Sequence, residues 1–149
     1  LSDRIALMNK GKIIQIDNSE TIYTNPRNKF VANFLGSSNI IEGKFIKKGI
    51  KKNEWIFESE MGKLVVYSEK TSFKPTSQIS WRSEKVSFDK SSPNKITGKI
   101  HNIYFLGSHY EVFVKINNEV VKINVHDKKL LKNEITFFIN KDDLKILED

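Results

Sequence analysis

From Ser37 onward no stretch of the chain keeps a helical period. β-Branched and aromatic residues recur instead in short runs: "IIEGKFI", "EWIFES", "KLVVYS", "QISWRS", "KITGKIHNIYFL", "YEVFVKI", "VVKINV" and "ITFFI". Runs of this length, separated by turn residues, read as strands of an all-β sandwich or barrel. Within them lies a repeat. Ile41-Glu42-Gly43-Lys44-Phe45 matches Ile96-Thr97-Gly98-Lys99-Ile100, and "ISWRSEKVSF" from Ile79 matches "FFINKDDLKI" from Phe137 in its apolar positions, at offsets of 55 and 58 residues. Two copies are too few for a solenoid or propeller and fit two similar half-barrels. Each half alone would leave unpaired N–H and C=O groups along its edges, and closing one on the other removes or shortens those edges. The expectation is a mainly β chain forming a small Greek-key barrel of OB type. Ser68–Gln78 and Asp89–Lys95, rich in Ser, Pro and Lys, read as exposed connections rather than domain boundaries.

The first 36 residues follow another pattern. "RIALM" and "KIIQI" are strands around a tight turn, "NKG", with Asn9 and Gly11 expected at positive φ. Ser19 is expected to cap a short helix ending before Pro26. In "NKFVANFLG", Phe30, Val31, Phe34 and Leu35 share helical spacing and Gly36 is the stop. The division is therefore a hairpin with two short helices over 1–36 and a β region over 37–149.

With 149 residues, 38% of them hydrophobic, the chain holds about one domain plus a smaller appendage. It has no cysteine, hence no disulfide framework and no thiolate metal site, which fits a reducing compartment. No apolar run approaches the roughly 18 residues of a membrane span, so membrane association is expected through a partner and not by insertion. A net charge of +7 raises nucleic-acid binding. Only Arg4, Arg27 and Arg82 are arginine, however, and the lysines cluster only at Lys47, Lys48, Lys51 and Lys52, the pattern of solvated faces.

Several residue groups carry chemical potential. His101, His109 and His126 lack the i,i+2 or i,i+4 spacing that would put a metal trio on one face. Ser108, His109 and Glu111 contain the ingredients of a nucleophile and base, but adjacent strand residues point to opposite faces. Trp55, Phe57, Trp81, Phe105, Tyr110 and Phe113 suit either a base-stacking platform or a core, and alternation favours the core. Asp142, Asp143, Glu148 and Asp149 gather near the C-terminus as a polyamine-binding group or a solvated acidic end. Arg82 and Glu84 share a face if their strand reaches Glu84, as an interface or structural pair.

"LSDRIALMNKGKIIQIDNSETIYTNPRNKFVANFLGSSN", Leu1–Asn39, closely resembles the segment after the switch histidine in the ATPase subunits of ATP-binding-cassette (ABC) importers. It departs from that pattern at Leu7, Asp17 and Ser19. The remainder resembles the transport-associated OB (TOBE) domain of these subunits. Ser80-Trp81-Arg82-Ser83-Glu84-Lys85-Val86 stands where V-R-P-E-x-[IV] falls, with Ser83 in place of Pro, and the later glycine-aromatic pattern runs from Gly98 to Glu111 through Phe105, Gly107 and His109. "SNIIEGK" and "FLGSHYEV" look most like the spermidine/putrescine importers. The resemblance implies a non-catalytic regulatory and dimer-supporting segment. Phe30, Val31, Phe34 and Leu35 would form a docking face toward the ATPase core, and a second copy and the permease subunits would be the partners, on the cytoplasmic side of the membrane. It implies no cofactor here, since ATP and magnesium belong to the ATPase domain. The phosphate loop, signature motif and switch histidine are not among these residues. The alternative is an OB module that binds nucleic acid or a small oxyanion.

Overall fold

The computed structural model describes residues 4–34, 36, 38–90 and 92–148. Leu35 and Asp149, named above, lie outside the described residues. β1 (Ile5–Asn9) and β2 (Lys12–Asp17) form the expected hairpin. Lys10 and Gly11 hold its turn at φ 52° and 77°, whereas Asn9 remains in β1. Two successive positive φ values make the primed turn that matches strand twist, and here Lys10 takes the place expected for Asn9. α1 (Ser19–Thr24) and α2 (Lys29–Phe34) follow. The cap of α1 is Asn18, whose Oδ1 accepts the Thr21 N–H at 2.8 Å, and Ser19 is already helical. Asn caps at least as well as Ser, so the earlier of two competent residues starts the helix. Leu7, Ile22 and Val31 close a small core, with Ile14 and Phe30 packed against it.

The remaining strands form two four-stranded units of one topology. β3 (Ser38–Lys48), β4 (Glu54–Ser59), β5 (Gly62–Tyr67) and β6 (Ser77–Arg82) lie in the order β6-β3-β4-β5. β7 (Asn94–Phe105), β8 (Tyr110–Ile116), β9 (Glu119–Val125) and β10 (Glu134–Ile139) lie in the order β10-β7-β8-β9. Both are the 4-1-2-3 arrangement of a Greek key. β11 (Lys145–Leu147) returns from the second unit to the outer edge of β6. The registers match the repeat: Ile41 faces Ile79 across β3–β6, and Ile96 faces Phe137 across β7–β10. A single core joins the units, with Phe57, Val66, Ile79 and Trp81 from one and Val112, Val114, Ile123 and Phe137 from the other.

In each unit the first strand is long because it serves two neighbours. β3 pairs with β6 over 38–43 and with β4 from 43 on, and β7 passes from β10 to β8 at Lys99. The change of partner falls at a glycine or the residue after it and is followed by a bulge, at 45–47 after Gly43 and at 100–102 after Gly98. A Cβ on Gly43 would stand 2.2 Å from the Glu58 carbonyl oxygen, and one on Gly98 would stand 2.6 Å from a Val114 methyl, so neither position has room for one.

Two asparagines close the seams between the units. The Asn39 side chain donates to the Lys122 carbonyl (2.8 Å) and accepts the Lys122 N–H (2.7 Å), pairing with the free edge of β9. Asn94 does the same to Val65 on the free edge of β5, at 2.8 and 2.7 Å. Each amide satisfies one main-chain donor and one acceptor that an edge strand leaves open. The first connection is exposed as expected over 69–72 and 74–76, whereas Ser68 and Ser77 are buried and Phe73 stacks on Phe45 of β3 at 4.1 Å and stands edge-on to Trp55 of β4 at 4.8 Å.

Candidate functional site: the Arg82 joint

β6 is buried on both faces. Ile79 and Trp81 point into the barrel core, while Ser80 and Arg82, on the alternate face, are 2% and 5% exposed. The covering layer is the segment from Tyr23 to Gly36. Arg82 reaches into it: Nε and Nη2 donate to the Tyr23 carbonyl at 3.1 and 3.0 Å, and Nη1 donates to the carbonyls of Ala32 (3.1 Å) and Gly36. One planar fork thus satisfies carbonyls from the ends of both helices, which a lysine's single ammonium cannot span. The guanidinium also lies 4.3 Å above the Tyr23 ring, a cation–π contact. Burial draws the guanidinium pKa down, and Tyr23 and Glu84 oppose that shift.

β6 ends at Arg82, so Glu84 lies in the following turn and does not share a strand face with it. The two residues are linked through Tyr23, whose hydroxyl donates to Glu84 Oε1. Burial, then the hydrogen bond and charge of Glu84, push the Tyr23 phenol up to about 12. A second tie runs beside the first. Glu148 donates its main-chain N–H to the Arg27 carbonyl at 2.7 Å, and its carboxylate takes Arg27 Nε at 3.2 Å and Lys70 Nζ at 3.6 Å. Nothing but the unknown position of Tyr23 hid this joint in the sequence. A lone arginine in a run otherwise apolar or small, "QISWRS", was the available signal.

Beside the joint a cavity of about 1120 Å³ opens between the two units, with Glu84 and Lys85 on one side of its lining and Lys47, Lys48 and Lys51 of the β3–β4 turn also lining it. Lys141 bridges to the buried Glu54 there, and that hydrogen bond holds the Glu54 carboxyl below its ordinary range.

The three described residues of the expected docking face separate. Val31 is fully buried in the small core, Phe30 packs against it, and Phe34 is 59% exposed. The hairpin covers Val31, which is why the helix needs no outside partner at that position. Phe57 and Trp81 are core, but Phe105 is 63% exposed, because β7 and β8 run past the barrel and leave their tip uncovered. The Ser108 hydroxyl and His109 Nδ1 do meet, at 2.8 Å, since both sit in a turn where strand alternation does not apply. Glu111 stands apart from them with Lys122 (3.9 Å). Pairing of β8 with β9 brings His109 and His126 to a ring separation of 5.7 Å, and no group of three metal-capable side chains occurs among the described residues. Asp142 and Asp143 lie in a single 3-10 turn, and Glu148 is committed to Arg27 and Lys70. Among the described residues no helix is long and apolar enough to cross a membrane.

No protein-family model matches the chain. Curated relatives do. The spermidine/putrescine import ATP-binding protein PotA of Mesomycoplasma hyopneumoniae (strain J) is 31% identical over 150 residues, covering 99% of this chain and 32% of the relative. The protein of that name from Clostridium acetobutylicum is 32% identical over 149 residues, covering 99% and 40%. The chain thus spans about a third of the length of such relatives. Among solved structures, the cytoplasmic molybdate-binding protein ModG, with molybdate bound, superposes with a TM-score of 0.59 over 72% of this chain and 94% of its own, at 16% identity, which is a likeness of fold. Over nearly its whole length the chain is therefore similar to the C-terminal part of spermidine/putrescine import ATP-binding proteins, the ATP-binding subunits of ABC importers.

Proposed function

We propose that this chain is the non-catalytic, regulatory and dimer-supporting C-terminal part of the ATP-binding subunit of a polyamine importer. In this reading residues 1–36 are the end of the ATPase domain and 37–149 form a TOBE-type domain. Nucleotide and magnesium bind elsewhere in the subunit, at the ATPase core. The partners are a second copy and the permease subunits, and the subunit sits on the cytoplasmic face of the membrane through them. The observation that carries the reading is the Arg82 joint, where four hydrogen bonds tie β6 to both helices of the first unit. A rigid joint transmits displacement, so movement of an ATPase domain would carry the barrel with it. A contact between two barrels would in turn keep opened ATPase domains at high effective concentration for reclosure. The cavity that shares Glu84 with the joint offers a place from which a small ligand would bias that movement.

The test is a hybrid. This chain replaces the matching third of the M. hyopneumoniae protein, and the hybrid is assembled with its permease subunits in proteoliposomes. Spermidine-dependent ATP hydrolysis is expected to persist, and Arg82→Ala is expected to weaken its dependence on spermidine at least 3-fold. Hydrolysis indifferent to Arg82 would remove the mechanical role. For the chain alone, titration calorimetry with Mg-ATP is expected to show no binding, and micromolar affinity would overturn the non-catalytic assignment.

A further inference from the structure

We infer that the tip of the β7–β8 ribbon, Ile103 to Tyr110, is the surface through which two copies of this chain meet. The inference rests on the dimer-supporting reading above and names its contact. Ile103 lies opposite Val112, and Phe105 opposite Tyr110, on the sheet face that forms the core. Val112 is fully buried, yet Ile103, Phe105 and Leu106 are 43%, 63% and 55% exposed. An inward-facing apolar row therefore continues past the point where the barrel covers it. On the other face Tyr104 packs edge-on against Phe113 and is itself half exposed.

The topology alone does not call for these side chains. The repeat makes the β3–β4 turn the counterpart of this tip, and there the chain carries Lys47, Lys48, Lys51 and Lys52 around a fully exposed Ile50. The two turns share a glycine, a bulge and a topology but not a chemistry, so that shared topology does not by itself require the aromatic set at the second.

Charge makes this tip, and not the lysine turn, the one that fits a second copy. In a two-fold contact the same patch meets itself, so a charged patch meets like charge. The chain carries +7 overall, and the lysine turn would repel itself. From Ile100 to Tyr110, by contrast, eleven consecutive residues bear no formal charge with His neutral. The exposed part of four large side chains amounts to about 400 Å² per copy, roughly half of what a standard interface buries on each side. The contact is accordingly weak in isolation and is suited to tethering by a longer protein.

Sedimentation equilibrium of the chain from about 10 µM to about 1 mM tests this, with thermal melts by circular dichroism alongside. The wild type is expected to dimerise in the upper part of that range. Phe105→Asp is expected to weaken association at least 10-fold, and Leu106→Asp, which spares the Phe105–Tyr110 ring contact at 4.9 Å, is expected to repeat the effect with an unchanged melt. Phe34→Asp is expected to leave association intact. A dimer that survives both tip variants overturns the surface while leaving the dimer-supporting reading standing. A monomer at about 1 mM overturns both.

Discussion

Arg82 holds a charge where neither solvent nor a directly bonded carboxylate receives it, and it does so because main-chain oxygens of Tyr23, Ala32 and Gly36 converge on its fork. Arg82→Ala leaves those carbonyls buried without donors, at about 1 to 3 kcal/mol for each group left unsatisfied, so the total loss is expected to exceed about 3 kcal/mol in urea unfolding. Arg82→Lys keeps the charge but loses the fork and is expected to fall between. A variant as stable as the wild type would show that the joint is not held by these bonds. Tyr23 adds a pH dependence. Its phenol is raised from 10.0 to about 12, first by burial and then by Glu84, so the folded state favours the neutral form. Its contribution is whole below pH 10 and is lost as pH rises through about 12. Stability measured across that window is expected to decline less in Tyr23→Phe, and superimposable profiles would reject the assignment.

At the scale of elements, the chain solves one problem twice. A strand that must pair first with the fourth strand of its key and then with the second has to bend, and a glycine with a bulge three residues later provides the bend. Gly43→Ala and Gly98→Ala are expected to cost similar amounts, about 1 to 3 kcal/mol each, because backbone must move in both. Chemical denaturation in which only one is destabilised would show the two bends to be unrelated. The glycines were legible in the sequence because they sit in an I-x-G-K match. Asn39 and Asn94 were not, although each precedes its glycine by four residues. Their role lies in edges contributed by β9 and β5, so it becomes visible only when the two units face one another. The helix cap moved by one residue for the opposite reason: Asn18 and Ser19 are both competent, and local chemistry alone does not choose.

For the whole molecule, the two cores differ greatly in size. The barrel interior draws on most of its strands, whereas the first unit closes around Leu7, Ile22 and Val31. Stability should divide accordingly, with the small unit opening without the large one. Amide hydrogen exchange is expected to be faster over 5–34 than in β6, β8 and β10, and Arg82→Ala is expected to accelerate the first region selectively. Uniform exchange across both regions would mean that they unfold as one. Periodicity, turn residues and a short repeat are local properties, and from them came the strands, the two similar halves and the hairpin with its helices, while the likeness to an importer subunit came from its matching motifs. Which faces are covered depends on residues far apart in the chain. Tertiary structure alone buried Val31 and left Phe34 in solvent, carried Arg82 to Tyr23 across 59 positions, and left Phe105 uncovered while Trp81 and Phe57 were enclosed. An alternating pattern states that a strand has an apolar face, and only the arrival of another element on that face decides whether it becomes core or surface.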